Sequence, residues 1–222
     1  MKSLSRLLLF VLPALAGLSA CQTLPYPEQP ITPIRNLQNI HESWQQSHRF
    51  FIGFPTPEHF SVCHDLSCHQ VSDLSLSAAE WQKVRILFYL PADSAEAERR
   101  QIKRAVALFE TVVGHKAGTS EDLGQNTLQG SRAGQLDCID EATNTSVYLR
   151  MLDTAGLLKW HRSAPRTSRG LFNGQAPHNT ATLIEIETDT RYAVDAWFFA
   201  NGQPPAITGV GAGGLHSWKT DV

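Results

Sequence analysis

The residue pattern predicts an α+β domain. Capped helical patterns between Ser77 and Val113, and a third from Asp137 to Leu152, come first; strand-like runs over 179–187 and 191–198 follow. Composition agrees with a folded unit. The 222 residues are 42% hydrophobic and 18% charged, which excludes disorder, collagen-like repeats and coiled coil as descriptions of the whole. At about 100–200 residues per domain, one core is expected. A formal charge of −2 gives no basis for electrostatically driven nucleic-acid binding.

Each helix has a local start signal. Ser77-Ala-Ala-Glu80 is a capping box, and the helix it opens runs to about Tyr89 with Trp81, Val84 and Phe88 on one face before Pro91. Asp93-Ser-Ala-Glu96 is a second box. Ile102, Val106, Phe109 and Val113 then recur at helical spacing, and Gly114 is the expected C-cap. The charges from Glu96 to Arg104, Glu98 and Arg99 among them, are assigned to a solvated face. Residues 115–134, polar and Gly-rich, are expected as a loop. The third helix starts at Asp137 and stops before Gly156.

The strand runs 179–187 and 191–198 are rich in Thr, Ile, Val, Tyr, Trp and Phe and turn near Asp189, so they read as an antiparallel hairpin. Asn201-Gly202 marks a further turn, with Ala206–Thr208 as a third strand.

Residues 1–20 read as a targeting segment, with Lys2 and Arg6 ahead of an apolar run from Leu7 to Leu15. The segment ends Leu18-Ser19-Ala20-Cys21, which resembles the lipobox of bacterial lipoproteins. That resemblance implies acylation of Cys21, and Gln22 after it implies the outer membrane, facing the periplasm. Removing Lys2 and Arg6 from the 19 basic residues leaves 17 against 21 acidic, so the anchor has no polybasic helper. Several acyl chains on one cysteine hold without one. Pro25, Pro27, Pro30, Pro33, Pro55 and Pro57 make 21–57 a tether, with a weak helical pattern at 40–50. The expected organisation is therefore signal 1–20, tether 21–57, domain 58–208 and Gly-rich tail 209–222.

With Cys21 lipidated, Cys63, Cys68 and Cys138 remain, and three cannot all pair. Export favours a Cys63–Cys68 disulfide. The alternative is a metal site of Cys63, His64, Cys68 and His69, but adjacent Cys-His pairs rarely reach one tetrahedral ion and no second ligand cluster follows. No metal and no cofactor is expected. Cys138, the odd thiol, is either inert packing or kept for chemistry.

Cys138 falls in the first turn of the third helix, where unpaired N–H groups and the positive dipole end favour thiolate. His178 opens the first hairpin strand and Asp195 lies in the second. Nucleophile on a helix terminus, base on one strand and orienter on the next is the general triad arrangement. The neighbouring acids Asp137, Asp140 and Glu141 oppose the dipole, although capping is their first expected role. Oxyanion donors are expected to be the Cys138 N–H and the Gln135 side chain.

Asp137-Cys-Ile-Asp-Glu141 at a helix start, then Pro177-His178 through Glu185, then Tyr192-Ala-Val-Asp195-Ala-Trp197, resembles the transglutaminase-like cysteine protein superfamily. The match spans about Gly134 to Trp197. It implies a papain-like core, with a nucleophile helix on an antiparallel sheet. It also implies cleavage, formation or exchange of amide bonds, with Cys138 as nucleophile, His178 as base and Asp195 as orienter. The expected partners are the membrane, through the lipid anchor, and a peptide or protein substrate in the cell envelope. A tight turn at Asp189–Thr190 would instead set His178 near Asn201, the competing orienter; the family pattern favours Asp195. Three further signals are set aside. Gly209–Gly214 lacks a following helix, Asn144-Thr-Ser146 is a sequon without weight in such a chain, and His161 is expected at the surface.

Overall fold

Ser77 begins the first helix as its spacing to Glu80 requires. In a computed structural model of the chain, which describes residues 52–126, 133–169 and 177–210, Ser77 Oγ accepts from the Glu80 N–H and Glu80 Oε2 accepts from the Ser77 N–H at 2.7 Å. The expected signal, Cys21, most of the tether, the 40–50 pattern and the tail beyond Val210 lie outside the described residues. Among the described residues no helix is long and apolar enough to cross a membrane.

This helix, α1, spans Ala78–Ile86, and the chain continues in tight turns through Phe88 and Tyr89 rather than as helix. The second, α2, spans Ala95–Ala117. Its cap is Ser94, whose Oγ accepts the Ala97 N–H at 3.2 Å, while Asp93 accepts from Ser94 Oγ. Gly114 is not its end. The helix runs three residues further and stops at Gly118 in the left-handed conformation, φ 77°. Gly114 serves close approach instead, since a Cβ there would lie 2.8 Å from Asn201 Nδ2.

The third helix, α3, spans Cys138–Thr154 and carries the capping box Asp137–Asp140. It is central, packing against both a hairpin and a sheet. Most of its buried polar groups are bonded within the fold, Thr145 Oγ1 being an exception. Thr143 and Ser146 donate to carbonyls one turn back, and Asn144 pairs with both the N–H and the C=O of Cys63, at 2.7 and 2.8 Å. Phe109 of α2 stacks on Tyr148 of α3 with centroids 4.8 Å apart. Around this pair gather Ile102, Val106, Leu149, Leu152 and Leu183, each at most 1% exposed.

Two antiparallel sheets complete the α+β fold. The smaller, unexpected from the residue pattern, joins β1 (Phe60–His64) to β2 (Gln70–Leu74). The larger runs in the order β3 (His161–Arg169), β4 (His178–Glu185), β5 (Arg191–Asp195), β6 (Ala206–Gly209). Strand β3 also carries no alternation and holds Pro165. A register shift between Ala164 and Thr167 accommodates the Pro165-Arg166 pair. Residues 52–57 belong to the folded unit rather than to a tether: the Ile52 N–H bonds Ser61 Oγ, and Pro57 O accepts from Leu76 N–H. At the other end β6 extends through Gly209, and the Val210 N–H bonds Arg191 O.

Candidate active site

Cys138 is the first residue of α3 and 4% exposed. Asp137 Oδ1 accepts the N–H groups of Ile139 and Asp140 at 2.9 and 3.0 Å, so capping is its role, as expected. Cys63 and Cys68 are joined in a disulfide, which leaves Cys138 as a thiol among the described cysteines. The metal alternative has no support from its histidines. His64 is bonded to Ser72 Oγ at 2.9 Å, and the group that approaches the two sulfurs is Asp140. Sulfurs in a disulfide cannot serve as thiolate ligands.

The disulfide loop is fitted to the start of α3. Asp65, Leu66, Ser67 and Cys68 all have positive φ, between 53° and 64°. Asp137 Oδ2 accepts from both the N–H and the Oγ of Ser67 at 2.9 Å, Asp140 Oδ1 accepts the Cys68 N–H at 2.6 Å, and Asp65 Oδ1 accepts the Gly134 N–H at 2.9 Å. The acids beside the sulfur are thus partly engaged by the loop. Burial, followed by repulsion from Asp137, pushes Asp140 up to about 7. Burial, followed by repulsion from Glu110, pushes Glu141 well above the carboxylate range. A protonated Glu141 opposes a thiolate far less than the sequence alone suggests.

The strands bring His178 and Asp195 together. His178 Nε2 donates to Asp195 Oδ2 at 2.6 Å, and the two residues are 3% and 2% exposed. Burial works against the imidazolium, but the hydrogen bonds to Asp195 and Cys138 outweigh it and lift His178 to about 9. With Nε2 on Asp195, Nδ1 is the nitrogen left for the Cys138 side chain. Trp197 and Phe198 cover the ring, with centroids 4.8 and 5.5 Å away. Trp197 is itself held by its Nε1, which donates to Asn126 O at 2.7 Å.

Four readings are corrected. Gln135 does not offer its amide to the sulfur: Nε2 donates to Glu121 O, and Oε1 accepts from Leu123 N–H and Asn126 Nδ2, so the side chain pins the 121–126 segment. Asn201 does not meet His178. Its N–H bonds Asp122 O, and its side chain lies against Gly114 on α2. His161 is not a surface residue but 1% exposed, with Nδ1 2.9 Å from Glu98 Oε1. Glu98, assigned to a solvated face, is equally buried and also accepts the N–H groups of Lys159, Trp160 and His161.

Residues not singled out by the sequence also shape this region. Asn179 Nδ2 lies 3.9 Å from Cys138 Sγ. Asp122 Oδ1 accepts the Leu136 N–H at 2.7 Å, just ahead of the cysteine helix, and burial raises Asp122 to about 6. Glu110, reached by the Gly202 N–H, is raised by burial to about 8. Asn179 alone had a signal, its adjacency to His178. The acids are buried by contacts distant in sequence. No family model matches the chain, and neither does a curated protein or a solved structure.

Proposed function

We propose that the protein is a thiol enzyme acting on amide or peptide bonds through an acyl-thioester. The observation that carries this reading is the 2.6 Å His178–Asp195 pair set beside Cys138 at the N-terminus of α3. With His178 near 9, the imidazolium is its resting form at neutral pH. Its positive charge and the helix dipole both favour thiolate. Cys138 Sγ attacks the carbonyl carbon, and the tetrahedral species collapses as the imidazolium hands its proton to the leaving amine. Water, activated by the now neutral His178, then releases the acid. Asp195 holds the ring and compensates its charge. A papain-like, transglutaminase-like core is part of this proposal. It is supported by a cysteine helix packed on the antiparallel sheet that carries the histidine and the aspartate.

The lipobox adds a location. Acylation of Cys21 would tie the enzyme to the bacterial outer membrane facing the periplasm, with peptides or proteins of the envelope as substrates. Loss of membrane fractionation in Cys21→Ser tests that part. For the chemistry, the protein is treated with p-nitrophenyl acetate and its intact mass followed by peptide mapping. An acetyl group on Cys138 that is lost with time supports the enzyme, and its faster loss to an added primary amine than to water would favour acyl transfer over hydrolysis. A native protein that never acylates at Cys138 would leave a binding module as the better description.

A further inference from the structure

Asn179 follows His178 on β4, and consecutive strand residues send their side chains to opposite sides. Both nevertheless reach Cys138, the imidazole through its hydrogen bond to the thiol and the amide with Nδ2 3.9 Å from Sγ. The sulfur is therefore reached by a proton donor and by a neutral amide from consecutive residues at the start of the strand. Asn179 is 5% exposed, so its amide works in a site largely closed to water, where a hydrogen bond to developing charge is worth most.

We propose that Asn179 is the side-chain donor to the oxyanion formed when Cys138 attacks a carbonyl. The inference rests on the enzyme reading above and adds to it the second electrostatic element that acyl chemistry requires. When the S–C bond forms, the carbonyl π pair moves onto oxygen. That oxygen is bonded to the carbon now attached to sulfur, within reach of an amide already at Sγ. The N–H of Asn179 bonds the oxyanion; on collapse the pair returns to re-form C=O, the C–N bond breaks, and the amine leaves with the proton from His178. Gln135 cannot take this role without giving up its bonds to Glu121, Leu123 and Asn126. An amide suits the position because it donates without adding charge beside a thiolate.

The test separates stabilisation of the oxyanion from any effect on the sulfur. Asn179→Ala and Asn179→Leu, the latter of nearly the same volume, are compared with wild type for acylation of Cys138 by p-nitrophenyl acetate and for alkylation by iodoacetamide. The first reaction passes through a tetrahedral oxyanion; the second is a direct displacement and does not. In whichever variant keeps the wild-type near-ultraviolet circular dichroism, acylation should fall about 100- to 1,000-fold. Alkylation should stay within about threefold, below the effect of one lost oxyanion donor. Equal losses in both reactions, or no loss in either, would overturn the role. His178→Ala is run beside them. If it leaves both reactions of Cys138 unchanged, the enzyme reading itself fails, whatever the Asn179 variants do.

Discussion

His178 Nε2 stands 2.6 Å from Asp195 Oδ2 although the two are not partners across the sheet; the ladder between their strands ends at the pair Ala181 and Val194. The contact runs diagonally beyond that last pair, and its existence depends on the connection between the strands. Had the chain turned tightly at Asp189–Thr190, His178 would have faced Asn201. The ladder instead opens at Ile184 with Arg191, the chain loops through 186–190 with Asp189 at φ 53°, and Asp195 is drawn back to the histidine.

The titration of His178 should show that contact directly. An NMR titration of the imidazole should give a midpoint near 9 in wild type and a lower one in Asp195→Asn, because burial then acts with less opposition. The sign for stability follows. A folded pKa raised above the ordinary 6.5 contributes stability that is whole below pH 6.5 and is lost as pH rises through about 9. Denaturation across that range should show a steeper decline in wild type than in Asp195→Asn. A midpoint of His178 unmoved by the substitution would count against the pair.

Iodoacetamide should label Cys138 in the folded protein near pH 7, with a rate that follows thiolate fraction. His178→Ala removes the positive partner, so the pH profile of labelling should move upward. A profile that does not move, or labelling seen only after denaturation, would make the sulfur a packing element.

Glu110 should act on stability in the same direction as His178 but in an earlier window. Its folded value of about 8 lies above the ordinary 4.5, so stability is greatest below 4.5 and falls as pH rises through about 8. One proton taken up differently corresponds to at most about 1.4 kcal/mol per pH unit. Glu110→Gln, which cannot ionise, should flatten that decline and raise the melting temperature at pH 8 more than at pH 5. An equal change at both pH values would refute the assignment.

The Cys63–Cys68 disulfide closes a short loop, so its removal should cost about 2 kcal/mol by the chain-entropy relation. Cys63→Ser and Cys68→Ser should lose the same amount, and the double variant no more. Because the loop bonds Asp137 and Asp140, each single variant should also change the iodoacetamide profile of Cys138. Thermal denaturation and labelling on the same samples check both effects.

Helix starts were legible because a cap is a bond between near neighbours. Ser77 to Glu80 spans one turn and its box stands where the spacing put it, and Asp137 caps its helix as expected, whereas the box expected at Asp93–Glu96 gives way to a cap at Ser94, one residue on. The place of Cys138 in the first turn of its helix and the pairing of Cys63 with Cys68 across a four-residue gap could be read for the same reason. Strand β3 could not. Its pattern is Arg, Ser and Pro, and it is a strand because β4 lies beside it and a bulge absorbs Pro165. The burial of His161 and Glu98 likewise comes from partners more than sixty residues apart.

What the sequence by itself determined, then, is where the helices begin, which cysteine stays a thiol and which residues are candidates to surround it. Tertiary structure decided that Asp195 rather than Asn201 meets His178, that Gln135 turns toward the 121–126 segment, and that Asn179 faces the sulfur. It also decided that the acids around the site are raised rather than fully ionised. The physical reason is range. Caps and short loops close within a few residues and leave their pattern in the chain, whereas register, amide orientation and desolvation depend on which distant segments pack together.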